Sequence, residues 1–330
     1  MCSSDLLIDQ PPLGYAKRFN IAPSSVSGSA AVDLDFGLPM LRDLPIEMLR
    51  IGVQAKLAEL SVPIDTKRKL EHAAVTLSLD TKSLTSQGAG ALNGVPVTFK
   101  WTEDFAAPGV TTRIDIAARL DDTSRPALGL AEPAWLTGPM PTTAVFTGRR
   151  FKLSDATVRA DLTNAKAAFP VINFEKRVGQ LVNATAQVHF AEDGAIALSN
   201  LAISGEDLQA RGSVQLDAQS RLSNVSLTSM RSGKDNDFAL NITPLPGGGY
   251  AYKLKGKSLD ATRLVVGDKN KAPNAPPEDE APMTDPISVD LEMERVLVRD
   301  DMALKNSALS FAYGANEHLS AFNLDADRKS

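Results

Sequence analysis

Apolar and polar residues alternate with period two along most of the chain. Val32, Leu34 and Phe36 alternate with Asp33 and Asp35, and Val75, Leu77 and Leu79 with Thr76, Ser78 and Asp80. Val95, Val97, Phe99 and Trp101 alternate with Pro96, Thr98 and Lys100, and Ile114, Ile116 and Leu120 with Arg113, Asp115 and Arg119. Phe238, Leu240 and Ile242 are spaced by Ala239 and Asn241, and similar runs recur at 158–162, 186–190, 250–254, 287–293 and 309–313. Successive side chains of a strand point to opposite faces, so each run predicts a strand with one apolar face. About fourteen such strands are expected.

Helical periodicity is scarce. Pro126 to Leu136 fits a short helix ended by Gly138-Pro139, and Leu259 to Val266 another, closed by Gly267. Ile46 to Leu60 fits either period, and the alternation of Ile51, Val53, Ala55 and Leu57 favours a strand. A loose repeat links Leu70-Glu71-His72-Ala73-Ala74-Val75, Leu153-Ser154-Asp155-Ala156-Thr157-Val158 and Leu198-Ser199-Asn200-Leu201-Ala202-Ile203. Leu222-Ser223-Asn224-Val225-Ser226-Leu227 and Leu304-Lys305-Asn306-Ser307-Ala308-Leu309 share its form. In each, a strand is expected to end, a polar pair to turn or bulge, and the apolar phase to reset into the next strand. The alternative is that this short pattern recurs by chance in any β protein.

Asp268 to Pro286 breaks the alternation with five prolines and Glu278-Asp279-Glu280. Proline offers no ladder donor and the acids repel, so a disordered loop or linker is expected there. The organisation expected is an N-terminal segment over 1–27, a β region over 28–267, this loop or linker over 268–286, and a continuation of the β region over 287–330. Met1-Cys2-Ser3-Ser4-Asp5-Leu6 has neither the charged nor the apolar region of a signal peptide. It matches the translation of a common sequencing-adapter end, so an assembly artefact is expected there, with the chain an internal fragment of a longer one.

The 330 residues are 43% apolar and 23% charged, which allows a buried core. A formal net charge of -5 argues against nucleic acid as a partner, because phosphate binding needs clustered Lys and Arg. A single cysteine excludes disulfide scaffolds, Cys-rich zinc sites and iron–sulfur clusters.

Candidate chemistry is sparse. His72, His189 and His318 are far apart, fall at polar or turn positions and show no metal-ligand spacing, so no metal or other cofactor is expected. The sequence has no GxSxG, no P-loop and no GxGxxG between strand and helix. Gly247-Gly248-Gly249 reads as a hairpin turn. Glu103 and Asp104 are adjacent, which on a strand sends them to opposite faces, a poor geometry for a general acid/base couple. Lys253, Lys255 and Lys257 read as a solvated outer face, with lipid-headgroup contact the lesser alternative.

So many one-sided strands with so few helices pose the question of what covers the apolar faces. A second sheet would give a β-sandwich. An open trough filled by an apolar ligand is the other solution, and a six-residue strand, ~20 Å long, is close to the length of an extended acyl chain.

Gly90-Ala91-Leu92-Asn93-Gly94-Val95-Pro96-Val97-Thr98-Phe99-Lys100-Trp101-Thr102-Glu103-Asp104-Phe105 resembles a segment of the AsmA-like superfamily, in its YhdP-type branch. Arg125-Pro126-Ala127-Leu128-Gly129-Leu130 leading to Trp135-Leu136-Thr137-Gly138-Pro139, and Ala160-Asp161-Leu162-Thr163, are similar to it as well. Leu309-Ser310-Phe311-Ala312-Tyr313-Gly314 is similar to the approach to that family's C-terminal region. The resemblance covers roughly residues 28 to 330 and rests on strand patterns. It implies a Gram-negative envelope protein, anchored in the inner membrane, whose periplasmic β-groove carries phospholipid towards the outer membrane.

The expectation is therefore a mostly β protein with a long twisted antiparallel sheet forming an open groove, a β-sandwich being the alternative. The groove would hold phospholipid acyl chains without enzymatic turnover or cofactors, in the periplasm, between inner and outer membrane. Its candidate lining is Val75, Leu77, Leu79, Val95, Val97, Phe99, Trp101, Ile114, Ile116, Phe238, Leu240 and Ile242. The alternative function is a structural or assembly scaffold for outer-membrane or envelope biogenesis. A third class, an envelope hydrolase, lacks any visible nucleophile–base arrangement.

Overall fold

The computed structural model describes residues 25–37, 50–131, 133–266, 285–299, 301–314 and 319–328. Alternation has produced strands throughout, from β1 (Ser27–Gly37), β2 (Arg50–Pro63), β3 (Lys69–Asp80), β4 (Ser83–Leu92), β5 (Val95–Asp104) and β6 (Thr112–Leu120) to β7 (Leu136–Thr137), β8 (Met140–Arg149), β9 (Lys152–Asp161) and β10 (Lys166–Phe169). They continue with β11 (Phe174–Lys176), β12 (Val182–Phe190), β13 (Ile196–Gly205), β14 (Leu208–Leu216), β15 (Leu222–Ser232), β16 (Asn236–Pro244) and β17 (Tyr250–Asp260). The last are β18 (Ile287–Arg299), β19 (Met302–Tyr313) and β20 (Leu319–Arg328). Seventeen strands belong to a mixed sheet, and β7, β10 and β11 form a small antiparallel one.

The chain divides into two compact units, Met1–Glu132 with Pro141–Ser154, and Pro133–Met140 with Asp155–Ser330. In the first, β1 to β6 pair antiparallel in chain order. In the second, β9 pairs with β12, and β12 to β20 follow in chain order. Among the described residues neither run closes on itself into a barrel.

One pair departs from the antiparallel expectation: β17 and β18 run parallel, with Leu254 opposite Leu291. A parallel pair needs a crossover of about a dozen residues or more, and the chain between Asp260 and Ile287 supplies that length. Asp268 to Pro286, expected to be a loop or linker, lies outside the described residues except for Asp285 and Pro286.

The two expected helices are shorter than the sequence suggested. The first, α1, covers only Ser124–Ala127. Leu259 and Asp260 still belong to β17, and the second, α2, covers Thr262–Val266. Near α2, Leu259 of β17 pairs with Val296 of β18, and both are buried, as are Ala261 and Val298.

The loose repeat marks bulges inside strands rather than strand ends. His72, Asn200 and Asn306 have φ of 49°, 51° and 46° within β3, β13 and β19. Each lies where the register slips, between Glu71 and Ala74, Leu198 and Leu201, and Lys305 and Ala308. An extra residue in one strand advances the alternation by one, so Leu70 and Ala73 are both buried although three apart. Leu153 to Val158 lies wholly within β9, and the slip near Leu222 sits at the start of β15. Neighbouring strands come close at such slips: a Cβ on Gly88 would run into the Ala74 carbonyl, and one on Gly212 into that of Ser226.

Candidate functional site

The bulges and the register bring apolar residues from successive strands into transverse rows. In the first unit Leu57, Val75, Gly88, Phe99 and Ile116 lie opposite one another in turn, across β2 to β6. The next row is Ala55, Leu77, Ser86, Trp101 and Ile114. Val95 lies opposite Leu92, and Val97 between Gly90 and Ala118, while Leu79 pairs with Leu84. All nine candidate residues of this unit therefore share one face. Leu70, Ala73, Val75 and Val97 form its buried floor, with Leu57, Phe99 and Ile116 packed on it and partly exposed.

β4 contributes Ser86, Gly88 and Gly90 to this face, between Leu84 and Leu92. Small residues between larger neighbours leave a depression, and an open cavity of about 520 Å³ lies there. Leu57, Val75 and Phe99 line it together with Lys56, Thr76 and Gln87 from the intervening polar positions.

In the second unit one row crosses nine strands, β12 to β20: Val188, Leu198, Val214, Val225, Ile242, Tyr252, Val289, Phe311 and Phe322. Eight spacings of ~4.8 Å make it roughly 38 Å long. Gly212, Leu227, Leu240, Leu254, Leu291, Leu309 and Leu324 run beside it. Phe238, buried at 3% exposure, lies between Met230 and Gly256, while Leu240 and Ile242 are partly buried. Burial holds the Tyr252 phenol above its ordinary value, and neighbouring Tyr250 adds to the rise.

The opposite face is polar. Lys253, Lys255 and Lys257 are exposed, and Lys255 pairs with Glu292 across the parallel pair, as a solvated face would. His72 and His189 are exposed and hydrogen-bond to Glu59 and Asp155; His318 lies outside the described residues. Among the described residues no group of His, Cys, Asp or Glu could hold a metal ion. Gly247 to Gly249 form the turn between β16 and β17, with φ of 97°, 103° and 75°.

Two of the polar groups buried within the structure are Lys176 and Glu103, and only the second, Glu103, was a candidate in the sequence. Lys176 is 1% exposed, and its Nζ donates to the carbonyls of Thr163, Ala165 and Arg177. Burial lowers its pKa, opposed by nearby Asp161. Glu103 is 2% exposed at the end of the face that carries Phe99 and Trp101. Asp104 is exposed on the other side, so the adjacent acids are separated as the alternation implied.

Comparison with known protein families, curated proteins and solved structures found no match.

Proposed function

We propose that the chain carries lipid on a non-catalytic apolar face, with phospholipid acyl chains as the cargo. The observation that carries this reading is the set of transverse rows, whose aliphatic and aromatic side chains are aligned strand to strand yet mostly only partly buried. Covering such a surface with an acyl chain is worth ~0.8 kcal/mol per methylene removed from water. The depression at Gly88 gives a chain a place to lie. Phospholipid transport between inner and outer membrane, in the periplasm and from an inner-membrane anchor, follows from the AsmA-like resemblance. Among the described residues no helix is long and apolar enough to cross a membrane.

Extraction of the purified chain with organic solvent, followed by mass spectrometry, tests this reading. Stoichiometric phospholipid is expected, and a lipid-free protein that also fails to take up added phospholipid overturns it. An assembly scaffold is the second reading. It is favoured by the exposed Val32 and Leu34 on β1 and the exposed Phe322 and Leu324 on β20, strands at which a sheet could be extended.

A further inference from the structure

Glu103 is a carboxylate placed where the alternation calls for an apolar residue. Only one of its oxygens has a hydrogen-bond partner: Thr111 Oγ1 donates to Oε1 at 2.6 Å, while buried Oε2 has none. Leaving a charged oxygen buried without a partner is expensive, so it calls for a complementary charge.

Its cross-strand neighbours are Leu84 and Thr112, and an aromatic cluster forms beside them. Phe151 sets its ring edge-on to Trp101, with centroids 5.8 Å apart, and tilted to Phe105 at 6.4 Å. Trp101 and Phe105 flank Glu103 in sequence by two residues on either side. Phe151 reaches them from the turn between β8 and β9, where Arg150 and Phe151 have φ of 51° and 68°. For a bulky residue that conformation is strained and must be held by its surroundings. Thr111 and Thr112 hold it: their hydroxyls accept the Arg150 and Phe151 amides at 2.7 and 2.8 Å. Thr111 thus fixes both the carboxylate and the turn above it.

We propose that Glu103, Trp101, Phe105 and Phe151 form a binding site for an organic ammonium group, with the Arg150–Phe151 turn as its cover. Aromatic faces attract ammonium cations, most strongly when these are desolvated, and the free carboxylate oxygen supplies the opposite charge. Entry requires Phe151 to swing aside, which the strained turn makes easier. The site lies at the end of the apolar rows of the same unit. It therefore deepens the lipid reading, on which it rests, by naming the cargo: an amphiphile with an ammonium head.

The test is calorimetric titration of the full chain with dodecyltrimethylammonium, with a neutral glycerol monoester of the same chain length, and with tetramethylammonium alone. The ammonium amphiphile is expected to bind about tenfold tighter than the neutral one. Glu103→Gln, and separately Phe151→Leu, should remove that preference and leave neutral binding unchanged, with circular dichroism and melting confirming the fold. The Leu variant keeps the test valid should the Gln variant misfold. Equal binding of the two amphiphiles by the wild type overturns the ammonium site and leaves the lipid reading intact. Failure of both amphiphiles overturns the lipid reading. Glu103-dependent binding of tetramethylammonium in that case would show that the site serves a small free cation.

Discussion

Glu59 and His72 meet across β2 and β3, both in left-handed backbone with φ of 51° and 49°, and His72 Nδ1 lies 2.9 Å from Glu59 Oε2. Two bulges thus sit side by side, and the register slips in both strands. Beyond them Leu57 and Val75 come opposite each other on the apolar face. The bulges set which side chains the face presents.

The same geometry at Asn200 is testable. Its φ of 51° suits Asn or Gly but strains a β-branched residue. Asn200→Val is expected to lower stability by about 1–3 kcal/mol relative to Asn200→Gly. Both variants lose the hydrogen bond to Gln187, so the difference between them isolates the backbone conformation. Urea unfolding measures it, and equal midpoints would show that the position is not strained.

Phe99 lies between Gly88 and Ile116 in the row that starts at Leu57, and it lines the depression at Gly88. An Asp there is expected to abolish lipid co-purification, because a carboxylate must stay hydrated where acyl chains would lie. Water reaches a partly exposed position, so the variant should keep its β-type circular dichroism spectrum and a cooperative melt. Global unfolding of Phe99→Asp would instead indicate a face packed dry.

Lys176 satisfies three carbonyls from one buried ammonium. Lys176→Met removes all three donors and should destabilise the protein by about 2 kcal/mol or more. Thermal unfolding of the full chain checks this, and an unchanged melting temperature would mean that water replaces the ammonium.

Acid should loosen the hairpin turns. Asp80 accepts the Lys82 and Ser83 amides, and Asp217 those of Arg221 and Gln219, which holds both carboxyls below their ordinary value of 3.8. A pKa lowered on folding gives stability that is present above the unfolded value and lost as pH falls through the folded one. The urea midpoint should therefore stay level from neutral pH to about 5 and decline below about 4. The Asp80→Asn, Asp217→Asn double variant should show a shallower decline; an identical acid profile would assign the effect to other carboxylates.

Period-two alternation, a property of the chain alone, determined which residues form strands and which side chains share a face. Val95, Val97, Phe99 and Trp101 lie together on β5 as their spacing required, and Glu103, two residues further, falls on the same face. The Leu70–His72–Val75 pattern carried the phase slip but not its cause, since a strand end and a bulge interrupt the alternation alike. Strand direction left no trace in the period, so the parallel pairing of β17 with β18 depended on where the intervening chain returned. Pairing register, which only the folded sheet fixes, aligned Val188 through Phe322 into one row from residues spread over nine strands. It also carried Phe151 to Trp101 and Thr111 to Glu103, contacts between residues eight to fifty apart in the chain that local periodicity cannot encode.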